Sequence, residues 1–157
     1  DTMNLWIDLC PKQLWDVVKL IDIFLLNDEE AIQLTSKTNI YDAANQLLEN
    51  GPSVVIIKLG GNGALLSYND VRVQIPVFPI NKLIDPTGAG DSFAGGFIGH
   101  LVNHGKDDLI EAVITGAAVA SFTVSGFGID SLLEADIDSI DARKNIIRAS
   151  MEKLKTI

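Results

Sequence analysis

Apolar and polar positions along the 157 residues follow first a helical and then a strand period, and the changes of period predict an α/β order. Leu14, Val17, Val18 and Ile21 recur at helical spacing around 11–20, with Pro11 tolerated in the first turn. The run IDIFLLN (21–27) is short, apolar and continuous, as a buried strand is. Asn27 ends it, and DEEAIQLT opens a helix with its acids at the positive end of the dipole. Residues 40–50 form an amphipathic helix stopped by Gly51-Pro52. SVVIIKLG (53–60) is the strongest strand, β-branched and bounded by glycine. GALLSYND and VRVQIPVF read as two strands joined by a tight turn at Asn69-Asp70. Three helical stretches follow, roughly 89–104, 107–124 and 138–155.

The first two of these helices are rich in small residues: Gly95, Gly96 and Gly99 on one, Gly116, Ala117, Ala118 and Ala120 on the other. Glycine costs ~1 kcal/mol against alanine inside a helix, so close packing or ligand approach has to offset it. The last helix has Asp136, Asp138 and Asp141 early and Arg143, Lys144, Arg148, Lys153 and Lys155 late. That order suits the helix dipole and predicts a solvated face. The economical architecture is one α/β unit with helices covering a mainly parallel sheet. The opening DTMN reads as the tail of a strand followed by a turn, which predicts that an amino-terminal portion precedes it; truncation or processing would give the same opening.

Composition narrows the functional classes. With 47% hydrophobic residues the chain can bury a core, which argues against disorder. The net charge of −9, spread along the chain, argues against a nucleic-acid or anionic-membrane partner, and a phosphorylated ligand needs local help. The apolar runs fall short of the ~18 residues of a membrane span, and no secretory signal is visible. Cys10 is the single cysteine, so no internal disulfide forms and a reducing cytoplasm is expected. One Cys and two His cannot build a zinc site. His100 and His104 share a helix face but lack the Glu of an HExxH pattern, and read as solvent-facing residues at a helix end.

Chemistry concentrates in DPTGAGDSFAGGF (85–97). Gly88 and Gly90 let the backbone aim its amides at one point, and the helix that follows adds its positive end, which together make an anion hole. A carboxylate beside such a hole, Asp91, is a poor phosphate ligand but a sensible base for a hydroxyl attacking phosphorus. The alternative is a tight turn with Asp91 capping the helix. Local physics leaves both open. Other glycine motifs fail on spacing: the third position of GxGxxG after Gly88 and Gly90 is Phe93, Gly61 and Gly63 are followed by Leu66 and a strand, and no GxxxxGK[ST] occurs.

DPTGAGDSFAGGFI resembles, throughout its length, the carboxy-terminal signature of the ribokinase family, the carbohydrate kinases of the phosphofructokinase B type. Asn27-Asp-Glu-Glu30 resembles that family's N-x-x-E motif, and LGGNG, with Gly60 and Gly63, its nucleotide-binding L-G-x-x-G loop. The resemblance covers nearly the whole chain and implies the carboxy-terminal part of one ribokinase-like domain over 1–157, a three-layer α/β sandwich lacking its amino-terminal half and lid. It implies Asp91 as catalytic base, with the amides of Gly88, Ala89 and Gly90 stabilising the transferring phosphoryl group. Asn27 and Glu30 would organise Mg²⁺ and its waters by the ATP phosphates, a role that suits oxygen ligands. Without the resemblance, NDEE is an ordinary helix start. Gly60 and Gly63 would admit the nucleotide, with Lys58 where members frequently have threonine. The face at Ala117, Ala118 and Ser121 would border the adenine or simply pack. Members commonly hold a monovalent cation, usually K⁺, and Asp85 and Thr87 stand at that site, with Pro86 a departure the family pattern permits.

In this family the missing half carries the glycine-glycine sugar motif, an aspartate orienting the acceptor, and the lid through which members often dimerise. The expected function is therefore ATP-dependent phosphoryl transfer to a sugar, nucleoside or similar alcohol, with the acceptor open and little turnover by residues 1–157 alone. A non-catalytic binding protein of the same fold is the alternative from another class. A kinase of a vitamin precursor such as a hydroxymethylpyrimidine or pyridoxal is a third, although several of those place a cysteine in this loop.

Overall fold

A computed structural model describes residues 2–154. The chain divides into two compact units with the boundary between Gln74 and Ile75. The first carries α1 (Asn4–Leu9), α2 (Pro11–Val18), β1 (Ile23–Asn27), α3 (Asp28–Thr35), α4 (Ile40–Glu49), β2 (Val54–Lys58), a single 3₁₀ turn at Gly60–Asn62, β3 (Ala64–Tyr68) and all but the last residue of β4 (Val71–Ile75). The sheet order is β1-β2-β3-β4. β1 and β2 are parallel, with Ile23 opposite Val54 and Asn27 opposite Lys58, whereas β2 and β3 are antiparallel, with Lys58 opposite Ala64. The sheet is thus mixed, and its parallel part is confined to β1 and β2 among the described residues.

The parallel strands are apolar along their length, as strands covered on both faces are. Phe24, Leu26, Val55, Ile57 and Leu65 alternate onto one face and join Val18, Ala31, Ala43, Ala44 and Leu47 from α2, α3 and α4 in one core cluster. Leu47, Val55 and Ile57 lose all solvent contact, worth roughly 1.5–3 kcal/mol per side chain. Asn39 starts α4 by accepting the N–H groups of Tyr41 and Asp42. A β-carbon on Gly51 would collide with the carbonyl of Val18, so the helix stop is also a close backbone crossing.

The second unit holds α5 (Ala89–His104), α6 (Leu109–Thr123), the short α7 (Asp130–Leu133) and α8 (Ile137–Leu154), preceded by residues 76–88 without helix or strand. Phe93, Phe97 and Leu101, four residues apart on α5, are buried. A β-carbon on Gly96 would stand 3.0 Å from the Val119 side chain and one on Gly116 2.7 Å from the Phe93 carbonyl. The small residues therefore serve close helix packing. Gly95 and Gly99 do not, since a β-carbon on either meets nothing within 4 Å.

Several expectations are corrected. Residues 2 and 3 form no strand; Met3 is extended and α1 begins at Asn4. The strand expected to run through residue 78 ends at Ile75, because Pro76 has no N–H to continue a ladder. His100 is buried rather than solvent-facing: its Nε2 pairs with Asp108 at 2.9 Å and its Nδ1 lies 3.2 Å from the Thr115 hydroxyl, so α6 and its N-cap residue supply partners for both nitrogens. The exposed His104 stacks on it, ring centroids 4.3 Å apart. The last helix is not a wholly solvated face either. Arg148 grips Glu111 with two bonds of 2.7 and 2.6 Å, and Arg143 turns inward with the fully buried Ile147. Lys155 lies outside the described residues.

Candidate active site

In the first unit the predicted site residues gather at the carboxyl ends of β1 and β2, the edge where open α/β sheets bind ligands. Asn27 ends β1 and Lys58 ends β2, opposite each other in the ladder. Asn27 Oδ1 accepts the Glu30 N–H at 2.7 Å while Glu30 Oε2 accepts the Asn27 N–H at 2.8 Å, a reciprocal capping box that explains why α3 starts where it does. Glu30 is 5% exposed. With Oδ1 and Oε2 engaged, Glu30 Oε1 is the pair's oxygen without a backbone donor. That donor set fits a divalent cation that keeps most of its waters, and not a cage of direct protein ligands. Among the described residues no three or more His, Cys, Asp and Glu cluster as a metal site.

Beyond Lys58 the chain folds back on itself. Leu59 N–H donates to Gly63 O at 2.7 Å and Gly63 N–H to Gly60 O at 3.2 Å. Gly60 and Gly63 have φ of 54° and 92°. A β-carbon on Gly60 would meet no atom within 4 Å, so the left-handed backbone, and not crowding by protein, calls for glycine there.

In the second unit Asp85, Thr87, Gly88, Ala89, Gly90 and Asp91 form one continuous turn into α5. Asp85 Oδ1 accepts the Thr87 N–H at 2.9 Å. That bond, then the Thr87 hydroxyl, and to a smaller extent the Gly128 N–H, hold the Asp85 carboxyl below the usual aspartate range. Ile84 N–H donates to Val124 O at 2.9 Å, so the chain just after α6 lies beside Asp85. Gly88 occupies the N-cap with φ 77°, and no side chain caps the helix. The Ala89 N–H turns back to Pro86 O at 3.1 Å, which takes it out of the predicted trio of anion-binding amides, while Gly88 and Gly90 keep theirs.

The position of Asp91 separates the two readings of the motif. It is the third residue of α5, exposed, and its carboxylate makes no hydrogen bond or ion pair to a described residue. The helix cap is therefore not Asp91. Ala118 and Ser121, by contrast, are buried in helix packing. Ser121 Oγ donates to Ala118 O at 2.5 Å and accepts from Arg143 Nη1 at 2.7 Å. The Arg143 guanidinium lies 3.4 Å from the Phe122 ring centroid and 4.6 Å from that of Phe78. Nothing in the local sequence signals that arrangement; only the shared face of Arg143 and Ile147 on α8 hints at it.

The family described as pfkB family carbohydrate kinase matches residues 3–136. The chain is 34% identical over 118 residues to a ribokinase of Staphylococcus aureus, covering 72% of this chain and 38% of that protein. It is 37% identical over 85 residues to a cytidine kinase of Thermococcus kodakarensis, covering 53% and 30%. The structure superimposes on aminoimidazole riboside kinase from Salmonella enterica, solved with aminoimidazole riboside and an ATP analog, with a TM-score of 0.75 and 28% identity over 87% of this chain and 46% of that one. The chain thus spans less than half the length of these relatives, and its architecture is a ribokinase-like α/β fold. By its turn into α5, its capping box and these similarities, the chain belongs to the pfkB family of carbohydrate kinases.

Proposed function

We propose that this chain is the carboxy-terminal, nucleotide-handling and base-bearing part of a kinase that transfers the γ-phosphoryl group of ATP to a hydroxyl of a sugar, nucleoside or similar small alcohol. The observation that carries it is the Asp91 carboxylate, without a partner among the described residues, on the first turn of α5, one residue beyond the uncapped Gly90 amide and three beyond the left-handed Gly88. Asp91 takes the proton of the acceptor hydroxyl as its oxygen bonds to the γ-phosphorus; the bond from that phosphorus to the bridging oxygen breaks and ADP leaves. The Gly88 and Gly90 amides, with the helix dipole behind them, meet the charge that builds on the phosphoryl oxygens. A base of this kind is worth ~10²–10⁴-fold.

Gly60 and Gly63 let the backbone approach the nucleotide, with Lys58 at the base of that turn. Ala118 and Ser121 serve the packing of the second unit. A magnesium ion, when bound with ATP, neutralises phosphate charge, and Asn27 and Glu30 organise its waters through the Glu30 carboxylate. Asp85, kept ionised by Thr87, together with backbone oxygens of its loop, suits a monovalent cation such as K⁺. A cytoplasmic location fits the single unpaired Cys10, and no helix among the described residues is long and apolar enough to cross a membrane.

The test is a screen of the complete gene product for ADP release from ATP in the presence of ribose, deoxyribose and a set of nucleosides. Acceptor-dependent release with one of them is expected. Release with none of these classes contradicts the reading, as does comparable turnover by residues 1–157 alone for the claim that they form only part of the domain.

A further inference from the structure

We infer that Thr123 is a positioning residue for this transfer, holding the turn that carries Gly88, Gly90 and Asp91 from the far end of α6; the inference rests on the function proposed above. Thr123 is the last residue of α6 and is 2% exposed. Its Oγ1 donates to Ser92 Oγ at 2.7 Å. Ser92 directly follows Asp91, and its own N–H donates to Gly88 O at 2.9 Å. The Thr123 methyl faces Gly88 as well: a β-carbon on Gly88 would stand 3.9 Å from Thr123 Cγ2. One buried side chain therefore bonds the residue beside the carboxylate and faces the residue that turns the backbone.

The neighbouring backbone fastens the other end of the same loop. Val124 O accepts the Ile84 N–H at 2.9 Å. Residues 84–92 are thus tied at both ends to the close of one helix. The first turn of α5 needs such an outside hold, because its N-cap is a glycine and no side chain caps it. Close packing makes the hold rigid: Gly116 brings α6 against the Phe93 carbonyl, one residue past Ser92. Displacing reacting groups by 1 Å costs on the order of 10²-fold in rate, so a supporting hydroxyl that fixes the first turn acts on turnover and not on substrate affinity.

Two variants separate the contributions. Thr123→Val keeps the shape and the methyl but deletes the donor; Thr123→Ser keeps the donor. In amide hydrogen exchange on the 157-residue chain, Thr123→Val is expected to speed Ser92 exchange roughly fivefold or more while Ala118 in mid-α6 stays unchanged, and Thr123→Ser is expected to stay near wild type. In the complete gene product Thr123→Val is expected to lower kcat roughly tenfold with the acceptor KM within about twofold, and Thr123→Ser to restore it. Unchanged Ser92 exchange, equal acceleration at Ala118, or an unchanged kcat overturns the inference. Equal turnover by wild type and Asp91→Asn would instead overturn the function beneath it, and Ser92 exchange would still report whether Thr123 holds the turn.

Discussion

A β-carbon added to Gly116 would stand 2.7 Å from the carbonyl oxygen of Phe93, so α5 and α6 meet backbone to backbone just behind the turn that bears Asp91. Gly116→Ala gains ~1 kcal/mol of helix propensity but forces the helices apart, and a net destabilisation of about 1–3 kcal/mol is expected. Gly95→Ala, where a β-carbon meets nothing, is expected to stabilise by up to ~1 kcal/mol. Urea midpoints of the two variants check this; equal shifts would contradict the packing account.

The bidentate contact of Arg148 with Glu111 makes stability depend on acid. The hydrogen bonds from Arg148 hold the Glu111 carboxyl below its ordinary value of 4.5. A lowered folded-state value means that the contribution is fully present above about pH 4.5 and is lost as pH falls through the folded value. The pair is partly exposed, so it is worth only about 1 kcal/mol. Glu111→Gln is expected to flatten the decline of melting temperature between pH 5 and roughly pH 3. A decline as steep as that of wild type would assign it to other carboxylates.

Asn27 and Glu30 cap α3 and are also the proposed organisers of the metal, and one substitution distinguishes the roles. Glutamine replaces glutamate in a capping box, so Glu30→Gln is expected to cost under about 0.5 kcal/mol of stability. It removes the negative charge, and the Mg²⁺ concentration for half-maximal activity of the complete gene product is expected to rise roughly tenfold. An unchanged Mg²⁺ requirement would leave Glu30 a cap alone. Asn27→Ala, which strips the cap itself, is expected to cost about 1 kcal/mol.

Local signals made much of this fold legible in sequence. Asn27 and Glu30 announce the start of α3, Gly51-Pro52 the end of α4, and the β-branched run after Ser53 is β2. The six-residue α1, with only Ile7 buried, and the four-residue α7 are too short for a period to emerge. What escaped was whatever a distant segment decides. His100 is buried because α6 brings Asp108 and Thr115 to it, and Arg143 stacks on Phe78 and Phe122 because α8 lies on α6.

The candidate site divides the same way. Every residue of the turn from Asp85 to Asp91 is contiguous, so the motif displayed them all, but not that Ala89 spends its N–H on Pro86. Whether Asp91 caps its helix could not be read locally, since aspartate suits both roles; the left-handed Gly88 at the N-cap and a carboxylate that bonds no described residue decide against a cap. Thr123 carried no signal, because its meaning lies in a contact 31 residues away.

The central claim, that Asp91 is the base, is tested most directly by single-turnover phosphorylation of the best acceptor by the complete gene product and its Asp91→Asn variant. The carboxylate bonds no described residue, so Asp91→Asn is expected to keep a near-wild-type melting temperature and nucleotide affinity while the chemical step slows ~10²–10⁴-fold. A variant that transfers the phosphoryl group at the wild-type rate would contradict it.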